Sequence, residues 1–94
     1  MKILQFHNTF VNMDDVKTIE TETATRYGYG DQAFSVRDNA VRITFKNDEE
    51  RTFIYPSKYS LDDLNTVIIM AVNAAATCVS IEDKLEQLEH ALRY

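Results

Sequence analysis

The strongest constraint on this chain is a change of hydrophobic period at its only proline. Before Pro56, apolar residues alternate with polar ones: Phe34 and Val36 with Ser35 and Arg37, then Val41, Ile43 and Phe45 with Arg42 and Thr44. That two-residue period belongs to strands with one buried face. Beyond Ser60 the spacing becomes three and four, through Leu61, Leu64, Ile68, Ala71, Ala75 and Cys78, which is the period of a helix. Pro56 cannot donate to a ladder and ends the last strand. Strands followed by helices is the α+β order. The expectation is one domain over all 94 residues. Strands within 1–56 form an antiparallel four- or five-stranded sheet, and two C-terminal helices within 60–93, or one long bent helix, pack on one of its faces.

The individual strands follow from side-chain type. Ile3-Leu4-Gln5-Phe6 and Phe10-Val11-Asn12 are short apolar runs. Asn12-Met13-Asp14-Asp15 reads as a turn, because Asn and Asp side chains close on nearby backbone amides. Val16 to Arg26 is rich in β-branched residues, with Glu20 and Glu22 alternating against Ile19, Thr21 and Thr23, so it reads as a half-exposed strand. Two hairpins are then predicted. Asp38-Asn39 is a candidate two-residue turn that sets Val36 opposite Val41 and Phe34 opposite Ile43. Lys46 to Glu50 is a charged five-residue loop that sets Phe53 opposite Ile43 and Tyr55 opposite Val41. Both registers gather Phe34, Val36, Val41, Ile43, Phe45, Phe53 and Tyr55 on one face.

Helix starts are marked twice. Ser60-Leu61-Asp62-Asp63 and Ser80-Ile81-Glu82-Asp83 each place a Ser cap before acids in a first turn, where the helix dipole favours negative charge. Ile81, Leu85, Leu88 and Leu92 continue the helical spacing, but the step from Cys78 to Ile81 slips its phase. Two helices, roughly 61–78 and 81–93, are expected. No charge occurs from Leu64 to Ile81. That run includes Asn65, Thr66, Asn73, Thr77 and Ser80, and lacks flanking Lys, Arg and aromatic belts, so it reads as a helix buried in protein.

Fifteen acidic residues outnumber ten basic ones, for a net charge of −5. The excess sits in residues 60–94, where Asp62, Asp63, Glu82, Asp83, Glu86 and Glu89 face only Lys84 and Arg93. Nucleic-acid binding needs cations to displace counterions from phosphates, so no direct nucleic-acid contact is expected. Cys78 is the only cysteine; it allows no internal disulfide and reads as a small buried residue of the first helix. With no apolar signal core at the N-terminus and no glycosylation sequon, a cytoplasmic setting is the expectation.

No catalytic, cofactor or metal constellation emerges. His7 and His90 lie at opposite ends of the chain without further ligands at fixed spacing, and a zinc site needs such spacing. Asn47-Asp48-Glu49-Glu50 lacks the alternation and glycine of a calcium loop. Tyr27-Gly28-Tyr29-Gly30 holds both glycines of the chain but not the third glycine of a phosphate loop; Tyr27 and Tyr29 are candidate contact residues. Apolar residues surround the first helix, more than one small sheet can cover. Ile69, Val72, Ala75 and Ala76 are therefore candidates for self-association. The expected function is a small, non-enzymatic protein-interaction module that forms a homodimer. The alternative is an acidic inhibitor or nucleic-acid-mimicking decoy, such as a mobile-element accessory protein, that blocks a basic surface of a partner protein through Glu82, Asp83, Glu86 and Glu89.

Overall fold

The computed structural model describes residues 1–27 and 35–92. Strands β1 (Ile3–Phe6), β2 (Thr9–Asn12), β3 (Val16–Tyr27), β4 (Ser35–Phe45) and β5 (Glu50–Tyr55) precede helix α1 (Leu61–Asn73). A short strand β6 (Cys78–Ser80) and helix α2 (Ile81–Leu92) complete the fold. The class is α+β with two separate helices. The strands form two three-stranded sheets, β2-β1-β6 and β3-β4-β5, instead of one sheet of four or five.

The division arises after β2. Asn12 accepts a hydrogen bond from the Asp14 amide and starts a 3-10 turn over Met13–Asp15, which leads the chain out of the first sheet. β3 then pairs with β4, not with β2. The vacant edge of β1 is taken by β6, which pairs parallel to it with Leu4 beside Val79. β6 lies between the helices, outside the 1–56 region where strands were expected.

β4 corrects the expected Asp38-Asn39 hairpin. The strand runs straight through both residues, which face Ala24 and Thr23 of β3. A continuous ladder bonds more backbone than a tight Asp-Asn turn that needs positive φ. The grouping of Val36 with Val41 required that turn, since residues an odd number apart on one strand alternate faces. Phe34 lies outside the described residues. The β4–β5 register also differs by two residues: Val41 faces Phe53 and Ile43 faces Arg51. The loop is shorter than expected, because the Phe45 amide donates to Glu49 O and Asp48 adopts φ 67. Aspartate tolerates that left-handed geometry better than most residues. A shift of two preserves the face, so Val41, Ile43, Phe53 and Tyr55 are all buried, while Phe45 is only partly so.

α1 begins at the expected cap: Ser60 Oγ accepts from the Asp63 amide, and Asp63 returns a bond to the Ser60 amide. It stops at Asn73, before the expected residue 78. Extending the chain there buries Val79 beside β1 and turns Cys78 outward, so Cys78 is exposed and not a core residue. The Lys2 ammonium donates to the carbonyls of Ala74, the C-cap of α1, and of Ala76 just beyond it, and so places a cation near the end of a helix whose last turn has none. One core joins all layers: Leu4, Phe6 and Val11 from the first sheet, Val41, Ile43, Phe53 and Tyr55 from the second, Leu64, Val67, Ile68 and Ala71 from α1, and Ile81 and Leu85 from α2.

Candidate interaction surface

α1 turns Leu64, Val67, Ile68 and Ala71 inward. Its outer surface mixes exposed polar residues, Asp62, Asn65, Thr66 and Asn73, with three large apolar ones. Ile69 is 60% exposed, Val72 41% and Met70 38%. Asn65, Ile69 and Val72 stand at i, i+4 and i+7 and so form one flank of the helix. The flank is oriented by a hydrogen bond of 3.2 Å from Thr21 Oγ of β3 to Asn65 Oδ1, which sets it over β3. The other two self-association candidates, Ala75 and Ala76, are exposed but lie beyond the end of α1, in the segment before β6.

The acidic candidates divide into inward and outward groups. Asp83 and Glu86 are exposed on α2, and the Asp83 amide donates to Ser80 Oγ at 3.3 Å as the second cap signature implied. Glu89 accepts a long bond from Tyr59 Oη at 3.4 Å and lies 3.9 Å from Lys58 Nζ. Glu82 reaches back to the β1–β2 turn. Its Oε1 accepts from the His7 backbone amide at 2.6 Å and lies 2.8 Å from His7 Nδ1. His7 holds φ 54 at that turn. Its Nε2 is 2.8 Å from the Ile54 carbonyl on β5, and its ring stacks on Tyr55 with centroids 4.6 Å apart.

His7, Glu82 and Tyr55 thus knot three elements together: the β1–β2 turn, the outer edge of β5 and the first turn of α2. Tyr55 Oη and Glu82 Oε2 are both buried, and neither closes a full hydrogen bond. Burial first, and then the charge and acceptor oxygen of Glu82, push the Tyr55 phenol well above its ordinary range. The phenol, the Glu82 carboxylate and the His7 ring together brace these three elements against one another. Sequence spacing could not bring residues 7, 55 and 82 together; the only local hint was Glu82 behind a Ser cap.

Among the described residues, no cluster of three or more His, Cys, Asp and Glu could hold a metal, and no helix is long and apolar enough to cross a membrane. Tyr27 closes β3, while Tyr29 lies outside the described residues. Compared with models of protein families, with curated proteins and with solved structures, the chain finds no match.

Proposed function

We propose that the chain is a small, non-enzymatic protein-interaction module that associates with a second copy of itself, in a cytoplasmic setting suited to its single free thiol. The observation that carries this reading is the exposed apolar flank of α1, Ile69 with Val72, beside Met70. Contiguous apolar surface on a small monomer marks an interaction site far more often than it stands idle, and a two-fold pair hides it with the fewest new contacts. Ile69→Glu, read by light scattering, tests the reading. Ile69 contributes nothing to the core, so the variant folds with unchanged circular dichroism. The expected result is a pair that becomes single chains; a variant that stays paired would count against the flank.

The second reading is an acidic inhibitor that occupies a basic surface of a partner protein. Exposed Asp83 and Glu86 favour it, and affinity for such a partner should fall steeply with salt. Glu82 and Glu89, engaged within the fold, would contribute less to it than the two outward acids.

A further inference from the structure

We propose that two copies join edge to edge through β3, making one six-stranded sheet with both α1 helices on the same side. This rests on the self-association reading above and gives it a geometry. β3 is an edge strand of the second sheet. It is 12 residues long and contains no Pro or Gly, and its one irregularity falls near its start, between Val16 and Thr18. Edge strands left long and regular template pairing with another chain, which is why stable monomers shorten, kink or cover them.

The order of residues on β3 selects a self-complementary register. Read about Thr23, the string Glu20-Thr21-Glu22-Thr23-Ala24-Thr25-Arg26 is complementary to itself in the antiparallel sense. Thr23 meets Thr23 of the second copy, Thr21 meets Thr25, Ile19 meets Tyr27, and Glu20 meets Arg26 twice, once on each side of the two-fold axis. Cross-strand Thr pairs and opposite charges are both favourable in antiparallel ladders. All these partners share parity, so each sheet face continues across the junction. Glu20 and Glu22 already bracket Arg42 on the face away from α1, with Arg42 Nη1 3.6 Å from Glu22.

The same axis accounts for the helix. It runs normal to the sheet, so both α1 helices lie on one face with their β3-side flanks turned toward each other. Those are the flanks that expose Ile69 and Val72. An open strand edge and an apolar helix flank, two separate features of the fold, thereby meet in one interface. Tyr27, a candidate contact residue in the sequence, falls at its end.

The test is charge exchange between two variants, followed by sedimentation. E20R carries Arg at both positions of the pair and R26E carries Glu at both, so each repels its own copy twice; E20R leaves Arg42 with Glu22. Like charges set opposite each other should weaken pairing on the order of 100-fold, so each variant alone sediments as a single chain. An equimolar mixture restores both opposite-charge pairs and should sediment as a 1:1 pair. Two variants that each pair as tightly as the unmodified protein would overturn the β3 interface while leaving self-association intact. An unmodified chain that never pairs would remove both. Should either variant fail to fold, amide exchange in the unmodified protein decides: slowing at residues 19–27 as concentration rises supports the interface, and exchange independent of concentration overturns it.

Discussion

Replacing Glu82 by Ala removes the brace between the first sheet, β5 and α2, and its cost can be built from the contacts. Two are lost at Oε1, from the His7 amide at 2.6 Å and from His7 Nδ1 at 2.8 Å. Bonds to a charged acceptor contribute about 1.5–3 kcal/mol when dry. Both side chains are partly open to water, at 46% and 36%, which brings each nearer about 1 kcal/mol. An acid in the first turn of α2 adds about 0.5 kcal/mol through the helix dipole. The sum is about 2–3 kcal/mol. Glu82→Gln keeps an acceptor oxygen and should lose only about 1 kcal/mol. In a double-mutant cycle with His7→Ala the backbone amide survives, so the coupling reports the ring contact alone, about 0.5–1 kcal/mol. The cost of placing Ala at φ 54 appears in both arms and cancels. Urea titrations of the five proteins, the four of the cycle and Glu82→Gln, measure all three quantities. A Glu82→Ala cost below about 0.5 kcal/mol, the range of ordinary surface changes, or zero coupling to His7, would refute the brace.

Two further outcomes follow from the core. Tyr55 keeps its proton more tightly in the fold than in the unfolded chain, whose phenol ionises near pH ~10. The stabilisation is therefore complete below that pH and is lost as the pH rises beyond it; Tyr55→Phe should flatten the alkaline decline of the urea midpoint, and equal declines in both proteins would contradict the assignment. Phe53 is buried and stacks on Phe6 with centroids 4.9 Å apart, whereas Phe45 is only partly covered. Phe53→Ala should cost about 3–5 kcal/mol and Phe45→Ala about 1–2 kcal/mol, measured in the same titration, with the reverse order sinking the register.

Features that depend on near neighbours were legible in the sequence. The Ser60 and Ser80 caps, the Asn12 turn, the strand end at Pro56 and the two-helix division at the phase slip each rest on residues within one turn of one another. Features that depend on competition between distant partners were not. Asp38-Asn39 resembles a turn locally, yet β3 offers those residues a long ladder. Ala75 and Cys78 fit a helical spacing, but Val79 gains more by lying beside β1, and Lys2 bonds the carbonyls of Ala74 and Ala76 in the segment between. The hairpin register was displaced by Asp48, whose positive φ shortened the loop, while the face survived because the displacement was even. On the candidate surface, Ile69 and Val72 were found from the apolar excess around one helix. The inward role of Glu82 was not, since His7 lies 75 positions away in the chain.

Self-association is the claim on which the functional reading stands, and sedimentation equilibrium of the unmodified chain tests it most directly. At micromolar concentration the mass should approach twice 10.9 kDa and fall toward a single chain on dilution. A mass that stays at one chain across the whole range would contradict the account and leave the α1 flank to a different partner.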